Sequence, residues 1–113
     1  MKFSTEQIDD ILVITLQTEI LEDSNSKEFR ARMTPLLEQS QKVVFDMNQV
    51  KFIDSSGCKT VLSCLRQLNA NGGDLKLSGV QKPVRTLFVL ARMHRIIEIY
   101  DNKDDAVSSF QSQ

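Results

Sequence analysis

Apolar and polar positions along the chain alternate between two rhythms. Ile11 to Leu16, "ILVITL", is a β-branched run bounded by Asp9-Asp10, and Met1 to Gln7 precedes it as a partner for a hairpin. A polar turn spans Glu22 to Ser26, and then the period changes. Phe29, Met33, Leu36 and Leu37 fall at i, i+4, i+7 and i+8, which predicts a helix with one apolar stripe. Asp23 or Ser24 is expected to cap it, and Pro35 within the pattern implies a kink or a break. Lys42 to Met47, "KVVFDM", reads as a buried strand, with Val50 to Ile53 as a short extension beyond the turn at Asn48-Gln49.

From Ser55 the helical period returns. Cys58, Val61, Leu62, Leu65 and Leu68 form one face, and Lys59, Ser63, Arg66 and Gln67 the other. "NANGGD" ends that helix, since Asn71, Gly72 and Gly73 can all take positive φ. "DLKLS", Asp74 to Ser78, alternates as a half-buried strand. Pro83 suits the first turn of another helix, with Val84, Leu87, Phe88 and Ala91 inward and Val89 outward. Ile96 to Tyr100 is a last strand, and Asp104 to Val107 begins a terminal helix whose first carboxylates the dipole favours. The expected order is β-β-α-β-α-β-α-β-α. It predicts an α/β fold: a mixed, mostly parallel sheet with an N-terminal hairpin and about four helices packed on it.

Composition narrows the function classes. With 113 residues, 41% of them hydrophobic, the chain reads as one domain over residues 1–113 with a core that needs no staple. With a net charge of −1, nothing points to an anionic membrane surface, and no nucleic-acid partner is expected. The longest apolar run, Leu87 to Ala91, is far short of the roughly 20 residues that span a bilayer. The start, "MKFSTEQIDD", has no signal-peptide core, and the expectation is a cytoplasmic protein without direct membrane insertion. Cys58 and Cys64 are six apart on one helix, about 600° of rotation, so they cannot bridge each other. A lone histidine, His94, excludes a multi-histidine metal cluster. No metal and no cofactor are expected.

Catalytic motifs are also missing. There is no phosphate-binding GxxxxGK[ST] or GxGxxG, and no GxSxG elbow around either serine of "FIDSSG". His94 would be the only base for a serine hydrolase and has no carboxylate beside it in sequence. A small hydrolase with Ser55 or Ser56 as nucleophile therefore lacks base and oxyanion machinery, and no enzyme is expected. What stands out is the strand-to-helix joint Asp54, Ser55, Ser56, Gly57. Ser55 is expected at the N-cap, where a hydroxyl stabilises a helix by about 1 kcal/mol, and Asp54 would serve similarly. One cap is enough for a helix, so the cluster also admits a second reading. A serine exposed at a helix start is open to a kinase, and the first-turn amides can receive the phosphate. Gly57 would either let a docking protein approach or relieve crowding in the first turn.

These residues carry a family resemblance. "FIDSSG" after a strand, an amphipathic helix, "NGGDLKLSGV" and "KPVRTLFVLARM" together resemble the STAS-domain anti-sigma factor antagonists, from about Ile8 to Phe110. The resemblance implies a STAS-like domain that works by partner switching. Unphosphorylated, it would bind a serine-kinase anti-sigma factor or a related ATP-binding kinase. Phosphorylation of Ser55 would release it, and a PP2C-type phosphatase would restore binding. Asp54 would shape the acceptor loop, Ser56 would hold the small-residue position and be the second candidate acceptor, and Gly57 would allow close contact. Glu19 and Ile20 match the family's Gly-Glu-[Leu/Ile]-Asp segment while Thr18 and Leu21 do not, which leaves the partner's identity open. Cys58 and Lys59 replace the usual Leu-Gly, and Lys59 would attract an acidic kinase surface or the new phosphate. Arg92 replaces an expected glycine. The implied partner surface is thus Glu19, Asp54, Ser55, Ser56, Gly57 and Lys59. The alternative within the family is a STAS subunit of a membrane lipid transporter that is not phosphorylated.

Overall fold

A computed structural model describes residues 1–112. Strands β1 (Phe3–Ile8) and β2 (Ile11–Leu16) form an antiparallel hairpin, and Asp9 takes a left-handed φ of 54° in the turn between them. Strand β3 (Ile20–Leu21) and helix α1 (Asp23–Glu38) lead to β4 (Lys42–Asp46), which lies parallel to β2. Then follow β5 (Phe52–Ile53), α2 (Ser55–Ala70), β6 (Asp74–Ser78), α3 (Lys82–Leu90), a 3-10 turn over Met93–Arg95, β7 (Glu98–Tyr100) and α4 (Lys103–Gln111). The main sheet runs β1-β2-β4-β6-β7 and is parallel at every pairing except the hairpin. The expected α/β architecture with four helices is therefore present.

The side chains explain the layers. One face of the sheet, including Ile14, Leu16, Phe45, Leu75 and Leu77, packs with Phe29 and Met33 of α1, Val61 and Leu65 of α2 and Phe88 of α3. The other face carries Ile11, Val13 and Val44 under Ala106, Val107 and Phe110 of α4. No helix among the described residues is long and apolar enough to cross a membrane.

Several local expectations differ. Val50 to Ile53 does not extend β4; Phe52 and Ile53 pair in parallel with Ile20 and Leu21 as a separate two-stranded sheet. The N-cap of α1 is Glu22, not Asp23 or Ser24, and its amide donates to Asn25 Oδ1 at 2.8 Å. Helix α1 runs unbroken through Pro35, which is exposed and one turn from the end, so the carbonyl it leaves unpaired lies on the solvent side. Of the three candidates at the end of α2 only Gly72 has positive φ, at 79°. Strand β6 is covered on both faces, because α4 lies over the side that carries Lys76 and Ser78. Ala91 is exposed, and Ile96 precedes the last strand, which begins at Glu98. Arg92 takes the left-handed φ of 59° that a glycine would accept without strain, so the turn keeps its shape at a cost in backbone energy.

Candidate functional site at the start of helix α2

Parallel pairing of β5 with β3 fixes where the chain enters α2. The Asp54 amide donates to the Leu21 carbonyl at 3.2 Å, which holds Asp54 extended, with φ −108° and ψ −174°. From that position its carboxylate, not a serine hydroxyl, caps the helix: Oδ1 accepts the Gly57 amide at 2.9 Å. Ser55 is consequently the first helical residue and not the N-cap that its position in the motif suggests. Asp54 does more than cap α2. Its Oδ2 accepts the Asp23 amide at 3.2 Å, so one carboxylate satisfies free amides at the starts of both α1 and α2.

The two serines are not equivalent. Ser56 is half-buried and donates to Asp23 Oδ1 at 3.2 Å, across to α1. Ser55 is exposed, and its hydroxyl makes no hydrogen bond with any described residue. Ser55 also borders a small, almost wholly apolar groove of about 200 Å³ between α2 and the end of α3, lined further by Cys58, Lys59, Leu62, Leu87 and Met93.

Gly57 is buried, and the reason for glycine lies inside the protein. A Cβ there would stand 2.5 Å from the Leu21 carbonyl oxygen and 2.5 Å from Ile53 Cγ1. The missing side chain lets α2 sit against the β3–β5 pair and leaves no opening to solvent for a docking protein, so Gly57 does not belong to an exposed partner surface. Lys59 is exposed one turn beyond Ser55 and forms no ion pair among the described residues. Glu19 flanks the same two-stranded sheet at its far end, where its carboxylate pairs with Lys51 at 3.3 Å. Both partners of that pair are exposed, so it adds little to stability.

Sequence patterns offered Asp23 only as a cap of α1 and missed its link to the Asp54–Gly57 joint, a contact with a residue 31 positions away. They also missed the side-by-side exposure of Ile20 (43%) and Phe52 (52%) on the short sheet beside the Asp54–Gly57 joint. Both cysteines are free and buried. Burial, with the Asp54 charge added, pushes the Cys58 thiol up to about 11, and burial pushes that of Cys64 up to about 12. Neither is an activated nucleophile. No cluster of metal-ligating side chains exists among the described residues.

Comparison with known proteins places this geometry. The model of the STAS domain family matches residues 2–106. An anti-sigma F factor antagonist of Paenibacillus polymyxa is 27% identical over 103 residues, covering 89% of this chain and 87% of that protein. A Bordetella bronchiseptica protein provisionally named anti-sigma factor antagonist BtrV is 25% identical over 113 residues, covering 99% of this chain and 97% of its own length. Among solved structures, the anti-sigma factor antagonist SpoIIAA in its unphosphorylated form superposes with a TM-score of 0.74 at 22% identity, over 99% of this chain and 100% of that one. The phosphorylated form, described as a Bacillus cell fate determinant, gives 0.73 at 21% identity over 96% and 99%. At these identities the structures establish a shared fold.

Proposed function

This chain belongs to the STAS domain family, and from that premise we propose that it is an anti-sigma factor antagonist-like switch whose phosphoacceptor is Ser55. In its unphosphorylated form it binds a serine-kinase anti-sigma factor or a related ATP-binding kinase. Transfer of the γ-phosphoryl group of ATP to Ser55 Oγ, with loss of the hydroxyl proton, releases it. A PP2C-type phosphatase hydrolyses the ester and restores binding. In this reading the protein is a cytoplasmic substrate and binder, and the catalysis belongs to its partners.

The observation that carries the proposal is the inequality of the two serines. Asp54 already supplies the cap, so the Ser55 hydroxyl is free of structural duty and exposed. Ser56, by contrast, is tied to Asp23. The α2 dipole favours negative charge at this end, which lets the fold tolerate a phosphate, while Asp54 and Asp23 beside it concentrate the change in surface charge. Lys59 and the apolar groove beside Ser55 give a partner both a cation and a pocket to recognise. The names of the relatives in Paenibacillus polymyxa and Bordetella bronchiseptica point the same way.

Incubation with ATP and the cognate serine kinase is expected to raise the intact mass by one phosphate. Ser55→Ala should abolish the gain and Ser56→Ala should keep it. If Ser55→Ala is still modified and Ser56→Ala is not, the acceptor is Ser56; no modification of either chain by the kinase overturns the switch.

A further inference from the structure

Between Asp74 and Glu98 the chain has no acidic residue, yet it carries Lys76, Lys82, Arg85, Arg92 and Arg95. Lys76 is buried beneath α4. The other four lie on α3 and in the turn after it, and none forms an ion pair with a described residue or hydrogen-bonds one through its side chain. The same stretch holds three large exposed apolar side chains: Val89 at 45%, Leu90 at 74% and Ile96 at 57%. Val89 and Leu90 share a shallow, mostly apolar depression of about 310 Å³ with Lys82, Arg85 and Thr86.

We propose that the α3 face formed by Lys82, Arg85, Val89 and Leu90, with the cationic turn that follows it, docks on an anionic lipid bilayer. Cations around a few projecting apolar side chains are what binding at a headgroup boundary requires, with Lys and Arg stems lying along the apolar surface and their charges reaching the phosphates. The polar groups of the face are almost all donors. The Thr86 hydroxyl already donates to the Lys82 carbonyl at 2.9 Å, and no carboxylate or amide side chain lies between Lys82 and Ile97. A protein partner of ordinary size would exchange about ten hydrogen bonds in both directions, and the side-chain acceptors of this stretch are only the Thr86 hydroxyl and the His94 imidazole. A sheet of anionic headgroups asks only for donors and charge. Leu87 of α3 and Met93 of the turn after it also wall the groove beside Ser55, so docking would bring that serine to the membrane edge. The inference stands on this face alone and does not need Ser55 to be phosphorylated.

Sedimentation of the full chain with vesicles tests it. At low salt the protein is expected to pellet with vesicles of phosphatidylcholine and phosphatidylglycerol in equal parts, to stay in solution with pure phosphatidylcholine, and to be released by high salt. Lys82→Gln combined with Arg85→Gln should weaken partitioning about 30-fold, at roughly fivefold for each positive charge removed. Leu90→Ser should weaken it further with an unchanged thermal melt, since Leu90 is largely exposed. Failure to bind the anionic vesicles overturns the proposal, as does equal binding to neutral ones. Binding of a glutamate-rich peptide that leaves the anionic vesicles unbound would assign the face to a protein and overturn it too.

Discussion

Asp54 accepts amides from two helices, so removing its carboxylate orphans both at once. A capping side chain is worth about 1 kcal/mol, and Asp54→Ala should therefore lower stability by about 2 kcal/mol in urea unfolding, while Asp54→Asn, which keeps one good acceptor, should lose roughly half of that. The motif Asp-Ser-Ser-Gly marked a helix start correctly, but not which side chain caps it. Both Asp and Ser accept first-turn amides equally well on paper. The choice is made by the extended backbone at Asp54, and that is fixed by pairing with Leu21, a partner far away in sequence. Gly57 was legible as a glycine needed for close approach, yet only the packing shows that the approaching group is Leu21 and not another protein.

At the scale of elements, long periodic segments were readable and short or covered ones were not. Helix α2 shows most of its buried face in its spacing: Cys58, Val61, Leu65 and Leu68 are inward as expected, Leu62 is only partly buried, and Cys64 joins the core unforeseen. The β3–β5 pair is two residues on each side, too short to carry a period, and it exists because the loops before α1 and α2 run side by side. Strand β6 misleads because alternation puts Lys76 where water would be, and α4 covers it. The ammonium there is 1% exposed as a side chain, donates to Ser109 Oγ at 2.8 Å, lies 3.7 Å from Glu98 and sits 4.2 Å from the centre of the Phe110 ring. Glu98 remains solvated and Ser109 has the Ala106 carbonyl as a second partner, so removing the charge strands no buried group. Lys76→Met should be neutral or stabilising by up to about 1 kcal/mol, whereas Lys76→Ala, which empties the space under α4, should cost about 2 kcal/mol or more in chemical denaturation. The turn after α3 yields a second test. Arg92→Gly should raise stability by about 0.5–1 kcal/mol, because glycine takes the left-handed conformation without a Cβ clash.

The whole molecule separates its tasks in space. One sheet face and three helices make the main core, α4 closes the other face, and the Asp54–Gly57 joint sits where α1 and α2 begin together. At this scale the net charge of −1 averages a stretch from Leu75 to Ile97 that holds cations and no carboxylate with an acidic remainder. Fold class was legible because alternating strand and helix rhythms leave few arrangements. Sequence favoured Ser55 over Ser56 only through the family motif; the physical difference between the two serines, the bond from Ser56 to Asp23, shows only in the packing. If Ser55 is the switch, negative charge there must change binding without changing the fold. The most direct measurement is calorimetric titration of the cognate kinase with the wild-type chain and with Ser55→Asp, alongside a thermal melt of each. The account predicts at least tenfold weaker binding by Ser55→Asp, with stability within about 0.5 kcal/mol of wild type, since a carboxylate at the first helical position suits the dipole. Unchanged affinity in a folded Ser55→Asp protein would contradict it.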